Sequence, residues 1–125
     1  MRVLFVGYAS VTQPNYEHIR LANCDVKDIN LSGWKIKSVQ TGDVYAILPG
    51  VVARPGCRPA VQITVNTHSA GNENPAQGIF TWNQPAGVEE WPKRPGRVQI
   101  SDSTGIIKID CGYAPDPDQF EVTCQ

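Results

Sequence analysis

Residues 29–37 read Ile-Asn-Leu-Ser-Gly-Trp-Lys-Ile-Lys. A turn-forming segment is followed here by alternating apolar and charged residues, which is the period of a β-strand with one face in the core. Trp34 and Ile36 are therefore predicted to point into the protein, and the two lysines to point into water. Gly33 can adopt a backbone conformation that a side chain would forbid, which leaves room for the indole to turn inward. The stretch predicts a strand that opens at a buried tryptophan.

The same alternation recurs along the chain in short runs bounded by Gly, Pro, Asn and Asp. In His18–Leu21 it predicts that Ile19 and Leu21 face the core, and that His18 and Arg20 face outward. Ten prolines and eleven glycines leave no uninterrupted stretch with helical periodicity, so we expect little or no helix. About seven to nine short strands with frequent turns predict an all-β sandwich or barrel. The other alternating runs are Val61–Val65, Val98–Ile100 and Ile107–Cys111.

The length and charge of the chain exclude several classes of protein. With 125 residues it is long enough for one core and too short for two, so residues 1–125 are expected to form a single domain. A formal charge of -1 gives no global field that would attract nucleic acid or an anionic membrane. The longest apolar run, residues 3–6 with their neighbours, is far shorter than the roughly 20 residues of a membrane helix. We expect this run to be the first strand rather than a signal peptide, and we expect no membrane partner.

The four cysteines leave two interpretations open. Cys24, Cys57, Cys111 and Cys124 are even in number and widely scattered, as two disulfides in an oxidising compartment would be. Free cysteines acting as small buried apolar residues are the other interpretation. No C-x-x-C spacing occurs, so neither a zinc ribbon nor a thioredoxin-like centre is expected, and no cofactor is predicted. A cytoplasmic location is expected if Met1 is the native start, and an extracellular one if the chain was cut from a larger secreted protein.

The stretch from Asn66 through Gly96 breaks the strand rhythm. Polar residues, glycines and four prolines surround Ile79-Phe80-Thr81-Trp82 and Trp91. A loop this long in a compact domain is usually functional or floppy, so we expect a partner surface here with Phe80, Trp82 and Trp91 as contacts. Exposed indoles would stack on sugars or anchor a protein partner. The alternative is that both tryptophans fold back over one open end of the sandwich.

Several segments together point to a known family. A strand begins beside Glu17 and reaches Asn23, and Leu31-Ser32-Gly33-Trp34 opens the next strand. A Pro-Gly connection at residues 48–56 then leads into Val61–Val65, and a hairpin at residues 98–107 has Asp and Gly framing its turn. This order resembles the lamin tail domain, an immunoglobulin-like module found at the end of nuclear lamins and in many bacterial proteins. The resemblance covers about residues 3–113, and residues 114–125 form a tail or an extra strand.

The resemblance implies an immunoglobulin-like β-sandwich of about seven to nine antiparallel strands, in which Leu31 and Trp34 have structural roles. Lamin tail domains have no characteristic active site, and the bacterial ones often lie beside hydrolases or other secreted domains. We therefore expect a non-catalytic binding or structural module with a protein partner, and not an enzyme. An exposed edge strand would also support self-association. The cysteines, the tryptophan-bearing loop and the acidic tail depart from the family, so a lamin's own partners do not transfer.

Two alternative functions rest on particular side chains. A small hydrolase or metal-dependent protein would use His18 or His68. A weak nucleic-acid binder would use Lys93, Arg94 and Arg97, because cations beside an aromatic group suit phosphates and bases. Binding through three charges would be weak and salt-sensitive. Carbohydrate is a further weak candidate, through the exposed indoles.

A cluster of carboxylates near the end of the chain could attract calcium. Asp116, Asp118 and Glu121 lie within six residues of one another. Pro117 lies between the first two carboxylates, and the turn glycine of the known calcium loop is missing. We therefore expect a solvated tail and no metal site.

Overall fold

The computed structural model describes residues 1–7, 17–65, 74–85, 88–92, 94–116 and 121–123. The described part of the chain is built almost entirely of β-strands, with one short 3₁₀ helix at Pro75–Gln77. The strands are β1 (Arg2–Gly7), β2 (His18–Ala22), β3 (Ile29–Asn30), β4 (Lys35–Ser38), β5 (Val44–Ala46), β6 (Val52–Ala53), β7 (Val61–Val65), β8 (Ile79–Trp82), β9 (Gly96–Ser101), β10 (Ile107–Tyr113) and β11 (Glu121–Val122).

The larger of the sheets has five strands in the order β11-β1-β2-β7-β8. All neighbours are antiparallel except β7 and β8, which run parallel. The connection between β7 and β8, residues 66–78, has the length that a parallel crossover requires. A row of buried side chains crosses this sheet from strand to strand, because Ile19 pairs with Val6 and with Ile63, and Ile63 pairs with Phe80.

The second sheet has four antiparallel strands in the order β10-β9-β4-β5, and β3 and β6 form a separate two-stranded ribbon. Ile36 of β4 pairs with Ile100 of β9, and both side chains are fully or almost fully buried. Side chains from both larger sheets belong to one hydrophobic core. The domain is therefore an all-β, sandwich-like fold, as the alternating pattern predicts.

Three details differ from the sequence-based prediction. The described residues contain eleven strands, where about seven to nine were predicted, because two-residue strands such as β3 carry too little alternation to be seen in sequence. The prediction that all strands are antiparallel is wrong at β7 and β8. The predicted long loop from Asn66 to Gly96 is wrong at β8, which pairs along its full length with β7.

The two ends of the chain follow the predictions where they are described. The apolar run at residues 3–6 lies within β1, and Val122 belongs to β11, which pairs with β1. Phe120, which was also expected in this last strand, lies outside the described residues. Within the part of the chain that the structure describes, no helix has the length and apolar character needed to span a membrane.

The Leu31 to Trp34 corner is partly as predicted. Leu31 is completely buried, and Gly33 has a φ of +77°, a left-handed conformation that costs other residues free energy. Trp34 packs against the hydrophobic core, as its predicted inward orientation requires, but it is half-buried where a buried tryptophan was predicted. Trp34 lies just before β4, where its carbonyl accepts a hydrogen bond from Ile47 N–H at 2.8 Å, and Trp91 is instead the largest fully buried side chain described.

Candidate functional site

An open groove of about 750 Å³ lies on the surface beside β6, β8 and the 3₁₀ helix. This volume is within the range of small-molecule and peptide sites, roughly 300–1,000 Å³. Two stretches of the chain supply the lining, residues 48–61 and residues 75–80, and each is called a wall of the groove below. The residues that line it are Leu48, Pro49, Gly50, Val51, Val52, Arg54, Pro55, Arg58, Pro59, Ala60, Val61, Pro75, Ala76, Gln77, Gly78 and Phe80.

Apolar side chains on the groove are available to a partner. Leu48 is 49% exposed and Val52 is 43% exposed, so both side chains present aliphatic surface to solvent at the groove. Four of the lining residues are prolines, and their fixed φ angles stiffen both walls. A stiff wall loses little conformational entropy when a partner binds.

The rim that carries Leu48 and Val52 is held by the Leu31 to Trp34 corner. Ser32 Oγ accepts a 2.8 Å hydrogen bond from Gly50 N–H and donates one of 2.7 Å to Asn30 Oδ1. The Leu31 N–H donates to the carbonyl of Val51 at 2.8 Å. Ser32 therefore positions the groove rim, a role that the sequence pattern does not reveal.

The wall that carries the arginines is fixed by Asn23, a fully buried residue. Asn23 Nδ2 donates to the carbonyls of Lys27 at 2.6 Å and Ala53 at 2.9 Å, and Asn23 Oδ1 accepts from Asp25 N–H at 2.9 Å. The Asn23 carbonyl accepts from Cys57 N–H at 3.0 Å. Asn23 thus joins its own turn, residues 23–27, to residues 53–57 of the groove wall.

A disulfide joins Cys24 to Cys57 beside the same wall, with a Cα–Cα distance of 4.1 Å. Cys111 is also disulfide-bonded, and no described cysteine is free. The interpretation of free buried cysteines is therefore wrong for Cys24, Cys57 and Cys111. Cys24 and Cys57 are in fact exposed. Cys124 lies outside the described residues.

The opposite wall depends on a close approach at Gly78. Its φ is +75°, and a Cβ atom there would collide with the carbonyl oxygen of Ala60. The Gly78 carbonyl accepts a 2.8 Å hydrogen bond from Gln62 N–H. Only glycine allows the end of the 3₁₀ helix to come this close to Ala60, so Gly78 fixes the place where the two walls meet.

A second polar cluster lies away from the groove and anchors residues 88–92. Glu90 is completely buried: its Oε1 accepts from Thr41 Oγ1 at 2.6 Å, and its Oε2 accepts from Gln84 Nε2 at 2.7 Å. The Glu90 carbonyl accepts from Ser38 Oγ and Gln40 Nε2, both at 2.6 Å. Segment 88–92 is therefore attached to the four-stranded sheet by side chains.

The same segment is attached to the five-stranded sheet through Glu17. Glu17 is 3% exposed, and its Oε1 accepts a 2.7 Å hydrogen bond from Trp91 N–H. Burial raises the pKa of Glu17 to about 7, and the charges of Glu89 and Glu90 act in the same direction. Burial also raises the pKa of Glu90, against the hydrogen bonds from Thr41 and Gln84. The cluster is a structural tie, and its carboxylates are occupied by hydrogen bonds within the fold.

The predicted aromatic binding surface is wrong. Phe80, Trp82 and Trp91 are 4%, 6% and 0% exposed, and all three belong to the hydrophobic core. Trp82 and Trp91 pack edge to face, with ring centroids 5.8 Å apart. The alternative, in which both indoles fold back onto the sandwich, agrees with the structure. Phe80 is the one residue of this predicted surface that lines the groove.

The other predicted site residues are not brought together into one site. Arg94 is exposed, Arg97 Nε forms a 2.5 Å ion pair with Asp110, and Lys93 lies outside the described residues. His18 is 4% exposed and packs on Gly7, its register partner, so its predicted outward orientation is wrong. The physical reason is that β2 is a central strand covered on both faces. His68 lies outside the described residues.

The structure describes only part of the carboxylate cluster near the end of the chain. Asp116 is exposed, whereas Asp118 and the side chain of Glu121 lie outside the described residues. Among the described residues, no group of three or more His, Cys, Asp or Glu side chains is arranged to hold a metal ion.

The sequence pattern does not predict the groove. Its signal is present in the stretch Leu48 to Ala60, where prolines, glycines and arginines stand beside aliphatic residues. Of this stretch, the pattern of residues 48–56 predicts only a Pro-Gly connection between strands.

No family model matches the chain, and no curated protein matches it either.

Proposed function

We propose that this chain is a non-catalytic binding module that holds a segment of a protein partner in the groove between residues 48–61 and 75–80. The observation that carries the proposal is the exposure of Leu48 and Val52, nearly half in each case, at a groove with stiff walls. Aliphatic groups in water at a concave, preformed surface are typical of sites that bind a partner.

The lining of the groove favours a protein segment over a small rigid ligand. It combines aliphatic side chains, such as those of Leu48 and Val52, with backbone of the Pro-Gly type. An extended segment can place apolar side chains in such a groove and still make hydrogen bonds to its backbone. The partner class proposed here is the one that the sequence predicted, but the surface is a different one.

We also propose that the sandwich is of the immunoglobulin-like, lamin-tail type. The support is the Leu31 to Trp34 corner, in which Leu31 is buried, Gly33 is left-handed and Ser32 holds the Pro-Gly connection at Gly50. On this proposal the corner that carries the resemblance also shapes the binding groove.

The test is selection of binders from a random peptide library displayed on phage, with the folded chain immobilised. Enriched peptides are then synthesised and titrated against three proteins: the wild type, the double variant Leu48→Ser/Val52→Ser, and the control Val44→Ser/Ile106→Ser. The control residues are 47% and 59% exposed, which matches the groove pair, and neither of them lines the groove.

We expect the groove variant to weaken binding by about tenfold or more, since each aliphatic side chain removed from a contact is worth about 1 kcal/mol. The control should bind as the wild type does. Equal binding by the groove variant and the wild type, or failure to enrich any peptide, contradicts the proposed function.

A further inference from the structure

We infer that the groove selects partner segments in which carboxylates stand next to apolar side chains. This inference rests on the proposed function, because it assigns the chemistry of the occupant of the same groove. It depends on two arginines, Arg54 and Arg58, that lie on one wall.

Arg58 has no carboxylate partner among the described residues. It is exposed, and within the described residues its guanidinium has no ion pair and no hydrogen bond. Its side chain lies over Gly56, where a Cβ atom would be 3.4 Å from Arg58 Nε. The guanidinium therefore lies beside the backbone of residue 56, close to the groove wall.

Arg54 has only a loose partner. Its Nη1 lies 3.9 Å from Asp28 Oδ2, and the two side chains are 82% and 54% exposed. An exposed ion pair at this distance contributes little free energy. Arg54 can therefore leave Asp28 and pair with a partner's carboxylate at a small free-energy cost. By contrast, Arg97 makes a 2.5 Å pair with Asp110 and is already occupied.

The charge of the groove is one-sided. Its described lining contains Arg54 and Arg58 and no Asp or Glu, although the chain as a whole carries twelve acidic residues and eleven basic ones. Arginine presents its donors in a planar fork that fits a carboxylate through two parallel hydrogen bonds. Carboxylates beside apolar side chains would therefore match both the guanidinium groups and the aliphatic rim at Leu48 and Val52.

The test repeats the random-peptide selection on three proteins. These are the wild type, Arg54→Gln/Arg58→Gln, and the charge-matched control Lys35→Gln/Lys37→Gln, whose lysines are exposed on β4 and outside the groove. An enriched acidic peptide and its Glu→Gln twin are then titrated against all three proteins at low and high sodium chloride.

We expect an excess of Asp and Glu in the wild-type and control selections, and its loss in the arginine variant. The Glu→Gln twin should bind the wild type about threefold to tenfold more weakly than the acidic peptide, and the arginine variant should not distinguish the two. Salt should weaken only the binding of the acidic peptide.

Failure of this inference can be separated from failure of the proposed function. If peptides require Leu48 and Val52 but show no acidic excess, or keep it in the arginine variant, the groove binds protein segments without charge selection and the inference is wrong. If peptides bind independently of Leu48 and Val52, or none is enriched, both proposals are wrong.

Discussion

The backbone N–H of Trp91 donates a 2.7 Å hydrogen bond to Oε1 of Glu17, which lies 74 positions earlier in the chain. The contact brings segment 88–92 onto the start of β2 and buries both residues. Because Glu90 ties the same segment to Ser38 and Thr41 of the other sheet, residues 88–92 link the two layers of the fold. The carboxylates that make this link are buried, and their burial has consequences for stability.

Stability should increase as the pH falls from about 8 to about 5. Folding raises the pKa of Glu17 from 4.5 to about 7, so the folded state favours the protonated acid. The stabilisation that comes from Glu17 is present in full below pH 4.5 and is lost as the pH rises through about 7. Glu90 acts in the same direction. We expect a free energy of unfolding about 1 to 3 kcal/mol higher at the acidic end, measured by urea denaturation.

The variant Glu17→Gln separates this effect from the other titrations. Its amide oxygen can still accept the Trp91 N–H, but it carries no charge. The dependence of stability on pH should become shallower in this variant. A wild type that loses stability over the same acidic range would contradict the assignment of a raised pKa.

Trp91→Ala should destabilise the domain more than Trp34→Ala. Trp91 is 0% exposed and packs on Trp82, so its removal leaves a core cavity that costs roughly 3 to 5 kcal/mol. Trp34 lies half-buried at the margin, where water can fill part of the space, and about 1 to 2 kcal/mol is expected. The measurement is the free energy of unfolding of each variant; the reverse order would show that Trp34 is the central indole.

Asn23→Asp should lower the free energy of unfolding by about 2 to 3 kcal/mol, although it replaces only an amide group by a carboxylate. It removes the Nδ2 donor, leaving the carbonyls of Lys27 and Ala53 without that partner, and it buries a carboxylate. Asn30→Asp provides the matched control, because Asn30 is exposed and uses only its Oδ1 as an acceptor from Ser32. Thermal denaturation of both variants tests the difference, and equal midpoints would rule out a structural role for Asn23 Nδ2.

The disulfide variant Cys24→Ser/Cys57→Ser should lose roughly 2 to 4 kcal/mol of stability, because the bond closes a loop between residues 33 positions apart. The groove wall that carries Arg54 and Arg58 should also exchange its amide hydrogens faster, since Cys57 lies between the two arginines. Hydrogen exchange followed by mass spectrometry measures this directly. Unchanged exchange in residues 54–60 would show that the Asn23 contacts alone hold the wall.

The sandwich could be predicted because alternation fixes a face wherever a strand is covered on one side, as in β4, where Lys35 and Lys37 are exposed and Ile36 is buried. The same reasoning fails for His18 because β2 is a central strand. A strand that is covered on both faces has no exposed polar face, so alternation does not predict which side chains are buried.

The candidate site could not be predicted, because two different physical effects hide it. The sequence around Trp82 and Trp91 has the composition of an exposed loop. The parallel pairing of β8 with β7 places Trp82 in the core. The groove is formed by segments that Asn23, Ser32 and Gly78 hold together through bonds to distant backbone. Turn-forming residues predict that the chain bends, but they do not predict which distant residues the turn contacts.

The most direct test of the groove as a binding site is a carbon-13 methyl NMR titration with an enriched peptide. The account predicts that the methyl signals of Leu48, Val51, Val52 and Ala76 shift on binding, while those of Val26, Val44 and Ile106 stay in place. Every one of these residues except Val51 is exposed without a ligand, so the methyl signals report contact at either location. Shifts confined to Val26, Val44 or Ile106 would contradict the account.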